Sequence, residues 1–175
     1  MERKINMRLQ KLIFAALFAA LVFVMSGARA TFGADGTAIH LGNSMCILAG
    51  LMLGGVYGGA AAGIGSMLYD FTNPLYIASA PITLVNKFMM GFVAGILNTK
   101  LKIKNALIRA LTAAIAGQTT YILLYMAKTF ADNILIGNDP KTAFVMLGAK
   151  AVTSVINGII AVSVSVPLYL MPKKV

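Results

Sequence analysis

Apolar stretches and short polar connections alternate along the whole chain, with the apolar runs at about 12–25, 43–55, 56–70, 80–97, 107–128 and 142–170. A helix needs about 20 predominantly apolar residues to cross the hydrocarbon of a bilayer. In lipid every backbone N–H and C=O must be satisfied within the segment, so single runs of this kind form helices. The pattern therefore predicts an all-α integral membrane protein of six transmembrane helices, built as one membrane domain over residues 1–175. Pro167 interrupts the last run and is expected to kink or end it, leaving its final part along the interface.

Small residues recur every fourth position within these runs. Gly50, Gly54 and Gly58 form one series, Gly55, Gly59 and Gly63 a second, and Gly91 with Gly95 a third. Each lets two helix backbones approach closely where lipid supplies no hydrophobic drive, and packing inside the bundle is the simplest use of them. The first run differs, because Ala15, Ala16, Ala19 and Ala20 stand in a helix otherwise made of Leu, Ile, Phe and Val. That arrangement predicts an outward groove where a partner helix docks.

Composition and charge sharpen the picture. The chain is 59% hydrophobic and 11% charged, with a mean hydropathy of +0.83, far more apolar than a soluble domain. The net charge of +10 would suggest nucleic acid in a soluble chain, but the cations sit at the ends of the apolar runs. Arg3, Lys4, Arg8 and Lys11 precede the first, Lys100, Lys102, Lys104 and Arg109 fill one connection, and Lys173 and Lys174 close the chain. Cytoplasmic loops are the basic ones, so this distribution predicts N- and C-termini in the cytoplasm, with no role for nucleic acid. The external connections would be 26–42, 71–79 and 129–141. A basic start, a short apolar run and Ala28-Arg29-Ala30 also fit a cleavable signal peptide. Both readings give the same inner and outer loops, and the patterned alanines argue for a retained helix.

Candidate chemistry is sparse. There is no GxxxxGK[ST] loop, His40 is the only histidine, and no HExxH or Ser/His/Asp arrangement occurs. One cysteine, Cys46, excludes disulfides and cysteine metal sites within the chain. These features predict a protein that is not an enzyme and holds no cofactor or metal. Ionisable residues within a membrane are costly and point to function, which singles out Lys87 and Lys150, each about 9–12 Å into the outer half of its run. Pairing with Asp70 would make Lys87 a tie between helices, and Lys150 is the sharper ligand candidate. Gln118, Tyr121 and Tyr125 share one helical face, Lys150, Ser154 and Asn157 another, and Thr83 and Lys87, with Asn86 alongside, a third. Their convergence would line a polar pocket for a small water-soluble molecule, although hydrogen bonds between helices would use the same groups.

Three pieces of residues 33–97 carry a resemblance: His40-Leu41-Gly42, the stretch from Gly63 to Asp70 reading GIGSMLYD, and Pro81, Thr83, Lys87 and Gly91 in P-x-T-x-x-x-K-x-x-x-G. In that order they resemble the substrate-binding S components of energy-coupling factor (ECF) vitamin importers, riboflavin-transporter-like branch. The resemblance implies a six-helix subunit of a bacterial cytoplasmic membrane. Its first three helices would face a transmembrane coupling subunit, and two ATPases would supply energy. Its loops and last three helices would hold the vitamin, adding His40 and Asn43 to the candidate site. The chain departs from the pattern at Asn43, where relatives often carry an acid, and at Phe88, where many have glycine. A self-sufficient secondary transporter or channel for a small polar solute is the alternative, although neither internal repeats nor an ion relay is evident.

Overall fold

Turn chemistry sets the helix boundaries. Asn105 accepts hydrogen bonds from the backbone N–H groups of Leu107 and Ile108 at 2.9 and 3.2 Å. Asp139 does the same for Lys141 and Thr142 at 3.1 and 3.2 Å, with Pro140 at the first helical position. Gly54 and Gly137 hold positive φ values of 81° and 91°, the left-handed backbone that lets one helix stop abruptly. The computed structural model describes residues 2–31 and 38–171. Among them are six α-helices: α1 (Glu2–Gly27), α2 (Gly42–Leu53), α3 (Gly55–Phe71), α4 (Ala80–Lys100), α5 (Ala106–Leu135) and α6 (Pro140–Leu170).

The all-α expectation is amended by a small antiparallel hairpin, β1 (Arg29–Thr31) with β2 (Ala38–His40), in register Arg29↔His40 and Thr31↔Ala38. Strands of three residues are too short to leave an alternating pattern in the sequence.

Among the described residues, four segments are long and apolar enough to cross a membrane: Met7–Gly27, Ile77–Lys100, Ala106–Leu135 and Pro140–Leu170. The second and third expected spans form a tight helical hairpin about Gly54. Its first arm, α2, has only 12 residues, about 18 Å of helix against about 30 Å of hydrocarbon. It cannot cross a bilayer of that thickness by itself. Instead it stands at the centre of the bundle, in contact with each of the other five helices, and every residue from Gly42 to Leu51 is buried. A helix that is apolar all round belongs in such a position.

The glycine series explains how α2 fits there. A Cβ on Gly50 would run into the Gly91 carbonyl of α4, so these backbones pack at a distance only glycine permits. On the outside, Leu12, Ile13, Phe14, Leu17, Leu21 and Val24 of α1 are exposed, as are Val145, Val152, Val155 and Ile159 of α6. A soluble monomer rarely exposes so much contiguous apolar surface, whereas lipid covers it without cost. The alanine face of α1 divides: the Ala19 carbonyl lies where a Cβ on Gly65 of α3 would stand. Ala15 and Ala19 are half-buried, and Ala16 and Ala20 are exposed, so the outward pair is Ala16/Ala20.

Candidate functional site

Lys87 stands two turns into α4, about 10 Å from its start. Its side chain is 5% exposed. An ammonium at that depth needs partners that replace water. The structure provides two. The Lys87 Nζ donates to Oδ1 of Asn43, in the first turn of α2, and lies 3.9 Å from the centroid of the Tyr121 ring on α5. Tyr121 in turn stacks on Tyr125, one helical turn along, with centroids 5.8 Å apart and planes 19° from parallel. Asp70, the partner expected from the sequence, attracts the same ammonium through its field, but it is Asn43 that takes the hydrogen bond.

Gln118 lies one turn before Tyr121 and is also buried. Its side chain rests on Gly158 of α6, where a Cβ would come within 2.9 Å of the Gln118 Cγ. Both polar atoms of the Gln118 amide, together with Asn43 Nδ2 and Ser44 Oγ, are buried without a hydrogen-bond partner among the described residues. A buried polar atom left unsatisfied costs about 1–3 kcal/mol, and native structures keep few of them. Next to a buried lysine and two stacked tyrosines, these are groups that a bound polar molecule would satisfy.

Most of the other candidates lie on α4 and α6. Asn86, Ser154 and Asn157 are buried, with Asn157 Nδ2 donating to the Thr153 carbonyl at 3.1 Å. Lys150 is half-buried on α6, and its charge acts on Tyr125. Thr83 is half-buried on α4. His40 closes β2, and its side chain lies outside the described residues. The sequence reading missed Ser44, Cys46 and Ser66. Cys46 Sγ lies 3.6 Å from Ser66 Oγ across the α2–α3 hairpin. Their small side chains sit inside apolar runs and give no periodic polar signal; only the nearness of Ser44 and Cys46 to Asn43, and the place of Ser66 within GIGSMLYD, could have suggested them.

A second polar cluster ties the opposite end of the bundle. Asn98 Nδ2 donates to the Leu51 carbonyl and to the Tyr169 hydroxyl, both at 3.0 Å, while Arg109 Nε donates to Asn98 Oδ1 at 3.4 Å. Every polar atom of that Asn98 amide is used, so this cluster is a structural tie between α2, α4, α5 and α6. An open, apolar surface groove at Phe130, Pro140, Lys141, Phe144 and Val145 lies apart from both clusters.

Among known protein families, the model of the ECF-type riboflavin transporter S component matches residues 6–174. No curated protein gives a significant match.

Proposed function

The chain belongs to the ECF-type riboflavin transporter S component family, and from that premise we propose that it binds a small water-soluble vitamin or vitamin precursor from outside. It delivers that molecule inward together with an ATP-driven module made of a transmembrane coupling subunit and two ATPases. Family membership makes it a substrate-binding membrane subunit of a vitamin uptake system; the direction, the substrate and the module are our reading.

One observation carries the binding role: the four orphaned polar atoms of Asn43, Ser44 and Gln118, gathered with Lys87, Tyr121 and Tyr125 inside a membrane bundle. Donors, acceptors and a flat aromatic surface in one buried place suit a small polar molecule with a planar part. His40, Asn86, Lys150 and Asn157 are proposed to complete the site. Six crossings with both termini in the cytoplasm remain our reading of the topology, in which α2 and α3 cross as one hairpin and the membrane is that of a bacterial cell.

Mass spectrometry of small molecules that co-purify with the intact chain tests the binding role, and a vitamin or precursor in stoichiometric amount is expected. Reconstitution separates the mechanisms: uptake should require the coupling subunit and ATPases. Gradient-driven accumulation by the lone chain would replace this reading with a secondary transporter. For topology, an impermeant thiol label should reach a cysteine at Gly137 from outside in a Cys46→Ser background, and should not reach one at Lys102.

A further inference from the structure

We propose that the first turn of α2, together with Lys87, forms an oxyanion subsite, and that the substrate carries a carboxylate on a planar aromatic ring. This rests on the reading that the Lys87 cluster is the substrate site, and it goes beyond that reading by naming the chemistry of the molecule bound.

The argument begins with α2 itself. This helix starts inside the bundle rather than at its surface, because Gly42, Asn43 and Ser44 are already buried at its first turn. Its N-cap is Leu41, which supplies no side-chain cap; its backbone carbonyl accepts from the Ser44 and Met45 N–H groups. A helix N-terminus carries a partial positive charge, and one that begins within a membrane bundle favours an anionic group.

The side chains around it point to the same partner. Asn43 uses its Oδ1 on Lys87, so the Nδ2 of the same planar amide lies beside the ammonium, and it is an orphaned donor. Ser44 adds a buried hydroxyl, also orphaned. Lys87 has three N–H donors, one of them given to Asn43. Everything left over at this corner donates hydrogen bonds, apart from the hydroxyl, which can also accept. The complementary group is therefore an acceptor with two oxygens, and one ammonium offsets one negative charge. That favours a carboxylate over a doubly charged phosphate. The half-buried Asp70 acts on Lys87 from the last turn of α3. The Tyr121–Tyr125 stack beside the ammonium supplies the surface for the ring.

The test uses the purified full chain and three isosteric probes, benzoate, benzamide and benzamidinium, titrated by ligand-observed NMR. Benzoate is expected to bind about tenfold or more tightly than benzamide, the size of a charge-assisted hydrogen bond, and benzamidinium not to bind. Asn43→Asp places a carboxylate against Lys87, so it should cut the benzoate advantage to about twofold or less, with thermal unfolding no lower than in the parent chain. Ser44→Ala should weaken benzoate while leaving benzamide unchanged. Equal binding of benzoate and benzamide, binding of the cation, absence of all binding, or an undiminished benzoate preference in Asn43→Asp would each overturn the subsite. These outcomes are distinct from failure of the transport reading. A neutral vitamin that co-purifies and is taken up with the ATPase module would remove the carboxylate and leave the S component role standing.

Discussion

The ammonium of Lys87 stands 3.9 Å from the centroid of the Tyr121 ring, so a cation of α4 is held against the π-face of α5 in the interior of the bundle. A ring face attracts a cation most strongly where water is excluded, and such a contact is worth about 0.5–2 kcal/mol. Together with the Asn43 hydrogen bond, it gives a membrane-embedded lysine polar partners in place of water.

Tyr121→Phe should retain this contact and Tyr121→Leu should lose it. Thermal or denaturant unfolding of the purified protein is expected to place the leucine variant about 1–2 kcal/mol below the phenylalanine variant. Equal stability of the two would show that the ring face does nothing for Lys87.

Gly50→Ala should be severely destabilising, because the added methyl meets the Gly91 carbonyl of α4 rather than a side chain that can turn away. Overpacking of this kind costs about 1–3 kcal/mol or more. Gly148→Ala is the control: nothing lies within 4 Å of a Cβ there, and alanine is the better helix former by about 1 kcal/mol. The pair should shift the unfolding temperature in opposite directions.

The divided alanine face of α1 predicts two different phenotypes. Leucine at Ala19, half-buried where the α1 backbone packs closely on Gly65, should lower stability of the isolated chain. Leucine at Ala16 or Ala20, both exposed, should leave stability and substrate binding intact and abolish uptake with the coupling subunit. Uptake at the normal rate in both exposed variants would place the docking surface elsewhere.

Asp139 gives the chain a pH-dependent helix cap. The hydrogen bond from the Thr142 hydroxyl, followed by those from backbone N–H groups, holds its carboxyl below the usual carboxylate range. A depressed folded pKa means that the stabilisation is fully present above the ordinary value and is lost as pH falls through the folded one. Protection of the amides in the first turn of α6, measured against their intrinsic exchange rate, should therefore fall below about pH 4. Asp139→Asn, which caps without titrating, should remove that dependence. Persistence of the acid-induced fraying in the asparagine variant would assign it to another group.

Much of the architecture was legible because the bilayer imposes local rules. Backbone groups in hydrocarbon must be satisfied within their own segment, so the apolar runs announced helices at 80–97, 107–128 and 142–170, close to where α4, α5 and α6 lie except that α5 runs on to Leu135. Caps such as Asn105 and Asp139 are equally local, since each side chain bonds an N–H two or three residues away. The tyrosine pair and Gln118 followed from helical spacing alone.

Helical periodicity places residues on a common face of one helix; what that face meets depends on packing. Charge and level single out Asp70 as one possible partner of Lys87, but nothing local points to the hydrogen bond that Lys87 makes with Asn43, 44 positions away. That pairing exists because α2 sits at the centre, and α2 sits there because Gly50 and Gly91 let two backbones approach. The inward turn of Ala19 has the same origin, in Gly65. The sequence by itself determined a helical membrane protein and the residue types available for a site. Which polar atoms would be buried without partners was decided only by the tertiary structure, because burial is the sum of contacts from every helix around a position, and no single segment encodes it.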